Sequence, residues 1–298
     1  MNIPLTLTLS LLAGLLGNVC KKFYTLNKKL SVSGGFIFNA ITSITAGIVL
    51  LCWGGFGNTS TFTILLGIAF GVVTALQGIT NIVALQWGPM SYTSVIISFS
   101  TIISALSGVA FFNESLHWPQ IVGIVFMLAS FVLATKKDDS DKKTNFKWFI
   151  MCLIAFFATG FIGVMQKVHQ TSTHATELSS FLIIAFLTSA ILCSIFAIFF
   201  KKPAQQDDQP STSKKLVFLI PLAVTLVCGI CVAVNNKFNL YLSGVINSAV
   251  FFPIVNGGGL ILTTLAALLL FREKLTLKQW IGLTLGIISV IFLCNPFA

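Results

Sequence analysis

Residues 111–134 read FFNESLHWPQIVGIVFMLASFVLA, and residues 270–294 read LFREKLTLKQWIGLTLGIISVIFLC. Laid over each other at an offset of 159, Phe112, Glu114, Leu116, Gln120, Gly123 and Ser130 fall on Phe271, Glu273, Leu275, Gln279, Gly282 and Ser289. The match continues upstream in the same order. At an offset of 158, Gly71, Ala75 and Asn81 fall on Gly229, Ala233 and Asn239. At 146, Gly14, Gly17 and Lys21 fall on Gly160, Gly163 and Lys167. One such match between apolar segments arises by chance. Three in order, at nearly one spacing, indicate that the chain holds two copies of one unit.

The repeated unit is built for lipid. Of 298 residues, 56% are hydrophobic and only 9% charged, against roughly 25% charged in soluble domains. Mean hydropathy is +0.95. A water-soluble fold cannot hide that much apolar surface. A spanning helix needs about 20 apolar residues, which predicts spans at 3–22, 33–53, 62–86, 90–111, 118–135, 147–167, 178–200, 216–241, 245–271 and 277–295. Gly88-Pro89 divides the long run 62–111, and Ser243-Gly244 divides 216–271. Five spans per copy is an odd number, so the second copy inserts upside down relative to the first. The fold expected is an all-α integral membrane protein of ten transmembrane helices in two inverted five-helix repeats. The first repeat covers 1–135, a polar linker 136–146, and the second repeat 147–298. Inverted repeats are common in secondary transporters, where the solute site lies near the midplane between them.

Charge sets the orientation. The net charge is +10, which in a soluble protein would suggest nucleic acid as a partner. Here sixteen of the eighteen basic residues fall in alternate loops, leaving only Lys167 and Lys237 for the other side. By the positive-inside rule those loops are cytoplasmic and both termini lie outside, in a plasma membrane. No nucleic-acid partner is expected; the bilayer and a small-molecule solute are, with the protein a monomer or homodimer. Trp53, Trp87, Trp118, Trp148 and Trp280 all fall near predicted span ends, as interfacial anchors do. The first span lacks a basic leader and a clear cleavage site, which favours a retained helix. The seven cysteines form no disulfide framework, and Cys228-x-x-Cys231 reads as apolar filling.

The two quoted stretches resemble the closing motif of each repeat in EamA-type transporters of the drug/metabolite transporter superfamily: a glutamate at a helix end, a polar turn, a glutamine, then a glycine in the last helix. Pro253 and Asn256-Gly257-Gly258-Gly259, just upstream, suit the pattern. In the first repeat Ser94 stands where Pro253 would be, so its fourth helix is expected to be the less bent. The resemblance implies a ten-helix alternating-access carrier. Its solute cavity would be lined by helices 1–4 and 6–9, with helices 5 and 10 peripheral. Members move amino acids, nucleotide sugars, drugs and other metabolites, so the solute is not named.

Polar side chains within a bilayer are costly and mark function. The solute-binding candidates are Asn18, Gln77, Asn81, Gln166, Lys167, Asn235, Asn236 and Asn256. Gln77 and Asn81 share a helix face, and the repeat places Asn235 and Asn239 on their counterparts. Pro253 and Gly257, Gly258 and Gly259 are candidates for a hinge. Lys21 and Lys167, at matching repeat positions, suit a carboxylate or phosphate on the solute. Snorkelling to the interface is the competing reading.

No acidic residue falls in the middle of a predicted span. An exporter of lipophilic cations would need one there, so a neutral, zwitterionic or anionic solute is favoured over a multidrug or cation exporter. A non-transporting scaffold is the other alternative. Glu114 and Glu273 read as favourable charges at helix starts, Thr276-x-x-Gln279 as a capping box, and His169 and His174 as solvated loop residues. With no H-E-x-x-H, no G-x-S-x-G and no paired intramembrane aspartates, neither catalysis, a metal nor a cofactor is expected.

Overall fold

The computed structural model describes residues 2–27, 32–87, 93, 96–133, 146–200, 214–271 and 276–293. Among them are ten α-helices and no strand: α1 Ile3–Asn27, α2 Val32–Gly54, α3 Thr61–Trp87, α4 Thr101–Phe112, α5 Trp118–Leu133, α6 Phe146–Thr171, α7 Leu178–Phe199, α8 Lys214–Val245, α9 Ser248–Phe271 and α10 Leu277–Leu293. Each falls on one predicted span. Six helical stretches are long and apolar enough to cross a bilayer. Leu65, Ile198, Leu269, Leu277 and many other large apolar side chains point outward. That surface is costly in water and matched to hydrocarbon.

Packing exchanges the two halves. α1 lies along α8 as α6 lies along α3; α2 meets α8 as α7 meets α3; α1 meets α9 as α6 meets α4. Three more contacts are self-paired, α2 with α7, α4 with α9 and α5 with α10, while α9 with α10 and α6 with α8 have no comparable counterpart in the other repeat among the described residues. The correspondence reaches single atoms. Ser130 Oγ donates to the Gly282 carbonyl at 2.7 Å, and its repeat counterpart Ser289 donates to the Gly123 carbonyl at 2.6 Å. Gly71 lets α3 approach α7 so closely that a Cβ would stand 2.5 Å from the Ala185 carbonyl and 2.6 Å from Thr188 Cβ. Gly229 does the same for α8 on α2, where a Cβ would stand 2.5 Å from Thr45 Cβ and 3.0 Å from the Thr42 carbonyl. Close backbone approach of this kind is what small residues supply between membrane helices. The largest buried cluster, including Leu50, Phe70, Phe181, Leu182, Phe186 and Leu240, lies among α2, α3, α7 and α8. A second, around Met127, Phe131, Ile254 and Leu293, holds α5 and α10 to α9.

Local chemistry ends and begins the helices. At α10 the expected capping box is present: the Thr276 N–H donates to Gln279 Oε1 at 2.9 Å and the Gln279 N–H to Thr276 Oγ1 at 3.4 Å. In the first repeat the His117 N–H donates to Gln120 Oε1 at 3.1 Å, so the glutamine keeps its half of the box where histidine replaces threonine.

Three expectations are corrected. The break between α8 and α9 falls at Ile246–Asn247, not at Ser243-Gly244, because Asn247 Oδ1 accepts the Ala249 N–H at 2.9 Å and starts α9 there. Gly244 stays inside α8 and serves close packing on Gln170. The proline does not mark the more broken fourth helix: α9 runs through Pro253, while the matching segment of the first repeat turns at Phe99–Ser100 before α4 begins. There the Ser100 N–H bonds back only three residues, to the Ile97 carbonyl at 3.0 Å. Trp148 is not an interfacial anchor. It is buried, and its Nε1 donates to Thr93 Oγ1 at 2.9 Å. Trp53, Trp87, Trp118 and Trp280 are exposed at helix ends. The break at Gly88-Pro89 and Ser94, Glu273 and the 136–145 linker lie outside the described residues.

Candidate functional site

Between the halves lies a cavity of about 550 Å³. Its walls come from α1, α2, α3, the segment entering α4, and α6, α7, α8 and α9, with no residue of α5 or α10. Leu11, Phe70, Ile162, Phe186, Val255 and Leu260 form its apolar part. Seven amide side chains face it: Asn18, Asn39, Gln77, Asn235, Asn236, Asn239 and Asn256. Lys21 is the one charged residue among the described lining residues, and none of them is acidic.

Six of the seven amides divide into two sets. Asn235, Asn239 and Ser10 close a ring. The Ser10 hydroxyl donates to Asn239 Oδ1 at 2.6 Å, Asn239 Nδ2 donates to Asn235 Oδ1 at 3.2 Å, and Asn235 Nδ2 returns to the Ser10 carbonyl at 2.8 Å. Gly14 makes room for that ring, since a Cβ there would stand 3.1 Å from Asn235 Nδ2. Asn256 Nδ2 is spent on Thr101 Oγ1 at 2.9 Å, and Asn236 Nδ2 on the Val232 carbonyl at 2.9 Å. The second set, Asn39 and Gln77, has no side-chain hydrogen bond among the described residues. Thr74, one turn before Gln77, lines the same wall with a buried hydroxyl that likewise lacks a partner. Unsatisfied polar groups in a low-dielectric site are costly, and a polar solute or water within the cavity relieves that cost.

Of the candidates read from sequence, Asn18, Gln77, Asn235, Asn236 and Asn256 meet at this cavity, and Asn81, Gln166 and Lys167 do not line it. Asn81 sits one turn beyond Gln77. Gln166 is buried in α6. Lys167 is not available to a solute: its Nζ lies 2.6 Å from the Glu114 carboxylate and donates to the Ile246 carbonyl at 3.1 Å. Glu114 also accepts the Ser248 N–H at 2.7 Å. It thus serves a helix start as expected, but that of α9 rather than α5. Of the hinge candidates, Gly257 packs on Met127, Gly258 lies near Leu11, and Gly259 opens onto the cavity.

His169 is not solvated. α6 runs to Thr171, four residues past the predicted span, and carries the ring to full burial against Phe181 at a centroid distance of 4.3 Å. His174 is partly exposed and pairs with Glu177 at 3.2 Å. Lys21, read from sequence as suited to an anionic group, lines the cavity, and Asn39 and Thr74 join it without having been singled out there. Asn39, an amide within the second span, had the same signal as the others.

The family model of the EamA-like transporter family matches residues 2–136 and again 146–295. An uncharacterized protein of Haemophilus influenzae is 24% identical over 198 residues, which is 64% of this chain; the chain spans 62% of that relative's length. A protein known from a crystal structure superposes with a TM-score of 0.76 at 14% identity, over 98% of this chain and 96% of that one. At that identity the likeness shows the fold.

Proposed function

We propose, from the premise that this chain belongs to the EamA-like transporter family, that it is a secondary transporter that carries a small polar solute by alternating access. The family's members are membrane transporters of small solutes. The observation that carries the finer reading is the amide-lined cavity between two halves whose helix contacts exchange on swapping the repeats. Two arrangements related by that exchange would open the cavity to opposite sides in turn. Asn39, Thr74 and Gln77 offer free donors and acceptors to the solute, and the Ser10–Asn235–Asn239 ring ties α1 to α8 at the cavity wall. A neutral, zwitterionic or anionic solute is favoured, because a lipophilic cation would find no carboxylate among the described lining residues. The basic loops argue for a plasma-membrane protein with both termini outside.

Reconstituted vesicles test this. Saturable uptake with counterflow supports a carrier. Unsaturable flux indicates a channel, and no flux a scaffold. Gln77→Ala is expected to raise the half-saturation concentration by about tenfold, as the loss of one or two hydrogen bonds implies. Unchanged transport in Gln77→Ala and Asn39→Ala together removes this wall from the site.

A further inference from the structure

We infer that the transported solute carries an oxyanion group, carboxylate or phosphate, and that Lys21 is its counter-ion. This rests on the carrier reading above and names the class of solute. The repeat supplies the reasoning. At an offset of 146, Gly14, Gly17 and Lys21 of α1 correspond to Gly160, Gly163 and Lys167 of α6. The two lysines therefore occupy one position in two inverted copies, and the structure shows what that position does when its partner is present. The Lys167 side chain is 6% exposed and held by a carboxylate oxygen of Glu114 at 2.6 Å and a backbone carbonyl at 3.1 Å. Its charge is spent inside the protein.

No described residue plays that part for Lys21. It forms no ion pair among the described residues. Gly14, Gly17, Asn18 and Lys21 all line the cavity. They recur at the spacing of one helix face, and Lys21 lines the cavity as an exposed residue. No acidic residue among the described lining residues competes for the ammonium. Because Lys21 is an exposed lining residue, an anion that enters the cavity can reach its ammonium. A charge-assisted hydrogen bond to an oxyanion is about twice as strong as a neutral one. The uncharged remainder of the solute then meets the free amides of Asn39 and Gln77. The solute's oxyanion takes at Lys21 the place that Glu114 takes at Lys167.

The purified full chain is reconstituted into phosphatidylcholine vesicles loaded with the water-soluble small-molecule extract of the expression host. Solutes that leave faster than from protein-free vesicles are identified by mass spectrometry. The expected result is that these solutes carry a carboxylate or phosphate. Lys21→Gln should slow their exit by about tenfold, matching the loss of one charge-assisted hydrogen bond, and Lys21→Arg should retain most of it. Exit of uncharged or cationic solutes alone overturns the inference and leaves the carrier reading standing. So does full activity in Lys21→Gln. Exit of nothing overturns the carrier reading itself. Two further arms separate other roles for the lysine. Should Lys21→Gln lose activity only when phosphatidylglycerol is added, the lysine serves a lipid headgroup and the inference fails. It fails also if Glu273→Gln, which alters the repeat counterpart of Glu114, loses as much as Lys21→Gln and the reversed pair Lys21→Glu with Glu273→Lys recovers activity.

Discussion

Replacing Glu114 by glutamine strands a positive charge inside the bundle. The Lys167 and Glu114 side chains are 6% and 13% exposed and 2.6 Å apart. Glutamine keeps nearly the same shape and can still accept the Ser248 N–H, so the change removes charge and little else. Lys167 retains only the Ile246 carbonyl, at 3.1 Å. Removing one partner of a buried ion pair costs ~3–5 kcal/mol. With one acceptor left to Lys167, the low end, about 3 kcal/mol, is expected here. At roughly 2–4 °C per kcal/mol for a chain of a few hundred residues, the apparent unfolding midpoint should fall by roughly 6–12 °C. Adding Lys167→Met removes the stranded charge. An apolar side chain in place of a buried ion is commonly neutral or stabilising, so the double variant should recover to within about 1 kcal/mol of the wild type. The assay is thermal unfolding of the purified full chain in detergent, followed by tryptophan fluorescence, for the wild type, both single variants and the double. A midpoint for Glu114→Gln within about 1 °C of wild type refutes the argument. So does a double variant no more stable than the two single losses summed, which would mean the pair is not coupled.

The repeat makes paired predictions at other sites. Gly71→Ala and Gly229→Ala should each destabilise by ~1–3 kcal/mol through overpacking against a neighbouring helix, whereas Gly259→Ala, which opens onto free space, should leave the unfolding midpoint near wild type. Ser130→Ala and Ser289→Ala should each cost about 1 kcal/mol, in equal measure, because each removes one member of a reciprocal pair of buried hydrogen bonds; markedly unequal losses in thermal unfolding would count against equivalence of the two halves. Asn235→Ala should lower stability as well as transport, since it opens the ring with Ser10 and Asn239. Gln77→Ala should lower transport alone, and measuring both quantities for both variants separates the wall that is held from the wall that is free.

Much of this architecture was legible in the chain because lipid imposes simple rules on sequence. A span must be apolar for about 20 residues and must satisfy its own backbone. The ten helices could therefore be read off one by one, and an odd number of spans per copy forced the inversion. The Thr276–Gln279 capping box was equally local, a matter of three residues' spacing. Where helices stopped was harder when the decision rested on a side chain reaching two residues ahead, as Asn247 does, or when the backbone turned at Phe99–Ser100 with no proline there while α9 continued through Pro253.

The fate of the polar side chains was decided only by the tertiary structure. Asn39, Gln77, Asn235 and Gln166 are all amides within apolar helices, and nothing in their local sequence tells them apart. Rotation of each helix against its neighbours put Gln77 on the cavity with free valences, tied Asn235 to Ser10, and buried Gln166 elsewhere. Lys21 and Lys167 occupy matching repeat positions with matching glycines, yet one meets Glu114, 53 residues away in the chain, and the other faces the cavity. Hydrophobic periodicity reports what a helix must bury and how far it runs. Which polar group finds a partner depends on contacts between segments far apart in sequence, and that pairing is formed only when the two halves pack together.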